Sequence, residues 1–406
     1  MRALYVSQNG MLEGLGASQV LAYLRGLARR GIEIDLLSFE LSSVDRDEVE
    51  ALRTTLADQG IRWVDLRRRQ DTRLRVKVLE SGAGVLQAFR MVLARRPRIV
   101  HGRSYLPTAV SDLIATVTPR TRLLFDCRGM LGDEYVDAGH WTKDRLEYRL
   151  IKRYETRAFR RADGVVVLTE ALKRWLAARD AFGPRAHVES IPCCVDLERF
   201  RFDTAARVRT RSELGFDGKL VLAYSGSLGS WYREEDIARF AAAVKARVPK
   251  SAFFLLTAAP PDKLVSLIRA AGFGSDEVVV RKVRPSEMPA HLVAADLGIS
   301  FIKSCFSKMG SSPTKVAEYL ACGLPVVLNG DIGDQRDLAA EDDACVVLDS
   351  MDDAALAAAA DRAIALATRP LEARVEATRR AADERFGLER VGVTRYLRLY
   401  RALAGS

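Results

Sequence analysis

The sequence predicts an α/β protein built from two doubly wound, Rossmann-like domains. Short runs rich in valine, isoleucine and leucine alternate with longer stretches of helical periodicity, the pattern of parallel strands buried on both faces. The alternation comes in two series. At 406 residues the chain is also too long for one simple core, so about two domains are expected.

The first series opens with "RALYVSQ" as a strand. "ASQVLAYLRGLARRG" follows as an amphipathic helix ending at Gly31, then "IEIDLLSF" as a strand. "RIVHG", "RLLFDC" and "GVVVLT" continue it. The second series begins at "KLVLAYSGS" and runs through "AFFLLTA", "EVVVRK", "ADLGISFI", "PVVLN" and "ACVVLD". Between the two lies "IPCCVDLERFRFDTAARVRTRSELGFDGK", with a proline, polar residues and one short helix. The boundary is placed there, giving domains 1–200 and 201–385. The closing "GLERVGVTRYLRLYRAL", within 386–404, reads as an amphipathic helix with no strand after it, so it must pack on something already built.

Composition is that of an ordinary soluble protein, 48% hydrophobic and 29% charged, and no apolar run nears the roughly 18 residues that span a bilayer. "MRALYVSQNG" has too short an apolar stretch for a signal peptide. The six cysteines form neither a C-x-x-C pair nor a zinc spacing, and read as reduced, buried thiols of a cytoplasmic protein. The adjacent Cys193 and Cys194 are expected to pack a tight turn, with reactivity as the alternative. Much of the net charge of +10 sits in two stretches, Arg62 to Val78 and Asp144 to Asp163. These are either solvated faces or a surface for anionic lipid or phosphorylated substrates. Nucleic acid is disfavoured, since no aromatic residues interleave with the basic runs.

One stretch, "SSPTKVAEYLACGLPVVLNG" from Ser311 to Gly330, sets a charged pair in an otherwise apolar segment. Val316, Ala317, Leu320 and Ala321 recur at helical spacing, and Ser312 followed by Pro313 reads as a capped helix start. Lys315 and Glu318 then share one face at the helix mouth. Ligands of open α/β sheets gather outside the carboxyl ends of the strands. Glycine-rich turns stand there in both halves, Gly14 and Gly16 before one helix, Gly226 and Gly229 before another. Such turns are needed merely to reverse the chain, but their pairing also fits phosphate cradling.

"GLGASQVLAYLRGLARRG", "RADGVVVLTEALKRWL", "IPCCVDLERF", "AADLGISFI" and above all "SPTKVAEYLACGLPVV" give the chain a resemblance, over nearly its whole length, to the retaining glycosyltransferases of family 4 with the GT-B fold. The resemblance is nearest to bacterial enzymes of capsular, exopolysaccharide and lipopolysaccharide synthesis. It implies two Rossmann-like domains facing a cleft, a nucleotide-sugar donor (UDP- or GDP-linked) as substrate rather than a cofactor, and a C-terminal helix crossing back to the first domain. Glu318 matches the glutamate that binds the ribose hydroxyls. Ser312, Pro313 and Thr314 match the helix start facing the diphosphate, and Gly16 the first-domain loop near the phosphates.

The chain also departs from the family. The family's first glutamate falls on Gly310, and the basic residue after the second-domain glycine falls on Ser227, which leaves phosphate neutralisation to Lys315 or Arg233. The Asn-Gly at the junction is Cys193-Cys194. No residue matches the histidine that many relatives carry on the catalytic side; Asp126 and Arg128 stand in "FDCRGMLGDEY" instead.

Helix amides with Lys or Arg can stabilise a departing diphosphate without a metal, and no metal-ligand cluster stands out. The acceptor, a glycan, a lipid-linked sugar or a small molecule, is expected to meet Asp126, Arg128 and Glu134, with His101, Arg103, His140 and Trp141 as further candidates. For each, an ordinary cap, ion pair or surface role is the alternative. An anionic membrane surface at the inner face of the cell membrane is expected to meet Arg62–Lys77 and "VLQAFRMVLARR". A nucleotide-sugar epimerase of the same fold and a non-catalytic scaffold remain as alternative functions. A dehydrogenase is disfavoured, because no acidic residue follows a dinucleotide fingerprint at the required distance.

Overall fold

The computed structural model describes residues 1–68 and 74–405. Among these the chain divides into two compact units, 1–192 with 391 onward, and 193–390.

The first unit holds a seven-stranded parallel sheet. Its strands are β1 (Arg2–Ser7), β2 (Glu33–Leu41), β3 (Ile61–Arg68), β4 (Ile99–Arg103), β5 (Arg122–Asp126), β6 (Gly164–Val167) and β7 (His187–Ser190), in the order β3-β2-β1-β4-β5-β6-β7. The second unit holds β8 (Leu220–Ser225), β9 (Ser251–Leu256), β10 (Val278–Arg281), β11 (Leu297–Ser300), β12 (Val326–Asn329) and β13 (Cys345–Leu348), in the order β10-β9-β8-β11-β12-β13. Every central strand is buried on both faces, which is why its sequence is continuous in Val, Ile and Leu rather than alternating.

Two strands escape the pattern of apolar runs. β3 lies inside the Arg-rich stretch assigned to a charged surface. As an edge strand it alternates apolar Ile61 and Trp63 with polar residues, and its arginines are tied to the sheet. Arg67 donates to the carbonyls of Leu41 and Val44, at 3.2 and 3.0 Å, and Arg68 to that of Phe39 at 3.1 Å. These two guanidiniums are therefore parts of the edge and not a surface for lipid. Residues 69–73 of the same basic stretch lie outside the described residues. β7 is four residues long and mixed in polarity, so it carried no signal.

The domain boundaries read from the sequence fall at 200 and 386, whereas the units divide at 192 and 391. The segment after Pro192 bonds within the second unit. Val195 donates to the carbonyl of Phe386 at 2.8 Å and accepts from Leu388 at 3.0 Å, and the Cys193 amide donates to the Ser312 hydroxyl at 3.1 Å. The chain then returns to the first unit, where helix Thr394–Gly405 buries Tyr396, Leu397, Leu399, Tyr400 and Leu403.

Candidate functional site

Ligand crevices in open parallel sheets form where strand order reverses. In the second unit that point lies between β8 and β11, and the loops leaving their carboxyl ends are 226–233 and 301–313. The loops are fastened together. Tyr232 pairs with Ile302, Lys303 N–H donates to the Trp231 carbonyl at 2.9 Å, and the Asn329 side chain makes two bonds of 3.0 Å to the backbone of Ile302.

Helix Thr314–Ala321 rises from the second loop and buries Val316, Ala317, Leu320 and Ala321. It ends before Gly323, whose φ of 83° is the left-handed conformation that glycine takes without strain. Its start corrects the sequence reading. Pro313 is the cap residue rather than the first helical one, and no side chain caps the helix. Ser312, held extended by the following proline, accepts from the Cys193 amide instead. The Val316 amide turns back to Pro313 at 3.2 Å, and the amides of Thr314 and Lys315 stand at the mouth with no capping side chain.

Lys315 is only 7% exposed, and its Nζ has no hydrogen-bond partner. The ammonium sits 3.9 Å from the centre of the Tyr224 ring and 4.5 Å from that of Tyr232. Gly226 adopts φ 110°, and a Cβ there would stand 3.4 Å from Nζ. Glu318 is half-buried, and among the described residues neither a hydrogen bond nor a salt bridge engages its carboxylate. The simple i, i+3 ion pair is thus not formed. Burial pushes Lys315 down to about 7 against the pull of Glu318. Burial likewise pushes Glu318 up to about 7, opposed by Arg199 and Lys315.

The other donor-side candidates divide. Arg233 is spent on an ion pair with Asp236 and does not offer a free cation. Exposed Ser227 accepts from the Tyr224 hydroxyl at 2.7 Å through its carbonyl, fixing the ring beneath Lys315. Gly310 is buried at the end of the 3₁₀ turn Phe306–Gly310, which contains no carboxylate. Lys308, Trp231, Tyr224 and Tyr232 were not singled out from the sequence; the adjacent Trp-Tyr inside a glycine-rich loop was the available signal.

In the first unit Asp126, expected to face an acceptor, is fully buried and fully engaged. Its carboxylate accepts from the Tyr396 hydroxyl at 3.0 Å, stands 3.4 Å from both Arg103 and Arg128, and lies 3.5 Å from His101 Nε2. Burial alone would raise its pKa, but Arg128, His101 and Arg103 together hold it well below the usual carboxylate range. The His101 ring bonds the Tyr400 hydroxyl at 2.8 Å, and burial lowers its pKa, so it stays neutral. Asp126 and His101 therefore anchor the C-terminal helix instead of lining an open site, and Arg103 and Arg128 are held by the same cluster.

Glu134 is half-buried beneath Gly129, where a Cβ would come within 2.6 Å of its Oε1. Trp141 stacks on Tyr135 at 4.2 Å, so one face of its ring is already covered, while His140 is exposed nearby. Gly16 is explained by packing: a Cβ there would lie 1.9 Å from the Gly10 carbonyl oxygen. Gly14 opens the same helix and is exposed. Among the described residues there is no group of three or more His, Cys, Asp and Glu side chains placed to hold a metal ion. No described helix is long and apolar enough to cross a membrane.

Two parallel sheets in separate units, with the chain returning to the first, fit the GT-B fold. The comparisons agree. Residues 16–194 match the glycosyl transferase 4-like domain, and residues 219–365 match the glycosyl transferases group 1 family. The chain belongs to the family 4-like glycosyltransferases of the GT-B fold and is by family a glycosyltransferase enzyme. A curated relative from Mycolicibacterium smegmatis, a GDP-mannose-dependent α-(1-6)-phosphatidylinositol monomannoside mannosyltransferase, is 28% identical over 178 residues. That match spans 42% of this chain and 46% of the relative, so it covers about half of the relative's length.

Among solved structures, Anabaena HepE in complex with UDP and glucose superposes with a TM-score of 0.71 at 17% identity, covering 99% of this chain and 100% of that one. Sucrose-phosphate synthase from Thermosynechococcus elongatus gives 0.71 at 18%, covering 100% of both chains. WaaG, a glycosyltransferase of lipopolysaccharide biosynthesis, gives 0.65 at 15%, covering 98% of both. At these identities the structural likeness establishes the fold.

Proposed function

We propose that the protein is a retaining, metal-independent glycosyltransferase of bacterial cell-surface polysaccharide synthesis, acting in the cytoplasm on a nucleoside-diphosphate sugar. The observation that carries this is Lys315: a buried ammonium without a hydrogen-bond partner, at an uncapped helix mouth, on the sheet's switch point. A buried cation so placed has only the half-buried Glu318 to offset it, and a diphosphate supplies a stronger counter-charge. Glu318, with its carboxylate unengaged, can accept two hydrogen bonds from ribose hydroxyls. As the bond from the anomeric carbon to the β-phosphate oxygen breaks, its electron pair moves to that oxygen, where Lys315 and the helix amides stabilise the charge. The acceptor hydroxyl attacks on the same face and gives its proton to the departing phosphate.

The names of the relatives favour GDP- or UDP-linked donors. A thermal-shift screen of UDP-, GDP-, ADP- and dTDP-sugars should show a rise in melting temperature with one of the first two. Transfer should then require an acceptor; conversion of the nucleotide-sugar alone would point to an epimerase, and donor binding without any turnover to a scaffold.

The acceptor reading is a glycan, lipid-linked or small-molecule hydroxyl near Glu134 and Trp141. Membrane contact is supported by neighbouring helices of the first unit. Leu86 and Leu93 of Leu74–Arg95, Leu106, Leu113 and Val117 of Tyr105–Val117, and Leu146 and Leu150 of Leu146–Arg161 are exposed, with exposed Arg90, Arg149, Arg153 and Arg157 among them. Apolar side chains interspersed with arginines suit an anionic lipid surface. Co-sedimentation with anionic vesicles should weaken as salt rises; equal recovery with neutral vesicles would return this face to ordinary solvation.

A further inference from the structure

Lys308 lies in the 3₁₀ turn Phe306–Gly310 after β11, only 8% exposed. Its Nζ sits 3.8 Å from the centre of the Trp231 ring, and among the described residues it makes no hydrogen bond and no ion pair. Both partners are held by their backbones. The Lys308 carbonyl accepts from Ser311 and Gly333, at 3.1 and 2.9 Å, while the Trp231 carbonyl accepts from Lys303 at 2.9 Å.

The arrangement repeats that of Lys315, whose ammonium rests on Tyr224 and Tyr232, so consecutive loop residues 231 and 232 each carry a lysine on a ring face. Apart from Glu318, which acts on Lys315, carboxylates of the adjoining segments are committed elsewhere. Glu234 accepts from the Gly229 amide, Asp236 pairs with Arg233 and Arg239, and Asp331 pairs with Arg336. A ring face returns only part of the hydration that an ammonium gives up on burial, and of the two it is the Lys315 Nζ that is fully enclosed. Two lysines resting on ring faces at one switch point, with the half-buried Glu318 as the one carboxylate acting on Lys315, match an anion of more than one charge.

We infer that Lys308 is a second cation of the diphosphate site, carried on Trp231 as Lys315 is carried on the tyrosines, in the role that Arg233 gives up by pairing with Asp236. This rests on the nucleoside-diphosphate reading above. Leaving-group charge is spread over two phosphates, so one lysine with helix amides meets part of it and a second cation meets the remainder.

The test is titration calorimetry on the full chain with UDP and GDP, and with uridine and guanosine as uncharged probes. Lys308→Met should weaken the diphosphate that the wild type binds by about ten- to a hundredfold and leave the corresponding nucleoside within twofold. Lys308→Gln, which keeps polarity and length, should show the same split and serves if the methionine variant does not fold. Unchanged diphosphate affinity in a variant that melts like the wild type would overturn the inference while sparing Lys315. An equal loss for nucleoside and diphosphate would overturn it as well, since a merely structural lysine gives that result. Binding of neither diphosphate by the wild type would remove the donor reading itself, and this inference with it.

Discussion

In the first unit the buried carboxylate of Asp126 meets His101, Arg103, Arg128 and Tyr396, whereas in the second the buried ammonium of Lys315 meets two tyrosine rings and no acceptor. Both groups are charged, buried and close to the carboxyl ends of parallel strands. They differ in whether the protein itself completes them. A charge completed by its own chain holds elements in place, here the C-terminal helix on the first sheet. A charge left incomplete is where a ligand is proposed to bind.

The comparison breaks most visibly at Asp126. Asp126→Ala removes the carboxylate shared by buried Arg103 and half-buried Arg128 and should cost about 3–5 kcal/mol in urea unfolding. The same carboxyl titrates below its unfolded value, so its stabilisation is present above about pH 3.8 and is lost as pH falls through the folded value. Accelerated acid unfolding of the wild type, blunted in the variant, checks the sign.

Glu318→Ala sharpens the other side. Folding should be retained, while nucleotide affinity falls by about ten- to a hundredfold, the range for hydrogen bonds to a charged group. Smaller again is the pH effect. Lys315 sits near 7 in the free protein because burial disfavours its charge, and a diphosphate favours the charged form. Loss of the Lys315 charge should therefore weaken binding by up to about tenfold per pH unit above 7, offset in part as Glu318, also near 7, ionises, with proton uptake at Lys315 seen as a buffer-dependent calorimetric enthalpy. The smallest expected effect is that of chelator. Transferase activity in excess EDTA should match the untreated enzyme; a loss restored by magnesium or manganese would replace the two-lysine account with a metal.

What the sequence disclosed follows the range of its signals. The helix bearing Lys315 and Glu318 was legible because apolar spacing, Pro313 and Gly323 are all local. The long central strands were legible because burial on both faces makes them continuous in apolar residues. β3 was hidden because an edge strand is half-polar and its arginines look like a charge run. The surroundings of Asp126 and Lys308 were hidden for another reason: their partners Tyr396 and Trp231 lie far off in sequence and meet them only after folding. Ser104 is a further case, a non-glycine residue at φ 66° and ψ −172° in the turn after β4, where nothing in the sequence marks the strain. Spacing thus placed Lys315 and Glu318 on one helix but could not tell completed charges from incomplete ones.

The central claim is that the incomplete cation of the second unit is completed by a nucleoside diphosphate. Titration calorimetry of UDP and GDP against the wild type and Lys315→Met, with urea unfolding of both, tests it most directly. The account predicts measurable binding of at least one diphosphate by the wild type, a loss of about tenfold or more in the variant, and no loss of stability, because no hydrogen bond or salt bridge to the ammonium is removed. Equal affinity in both proteins, or a variant that loses stability as Asp126→Ala does, would contradict it.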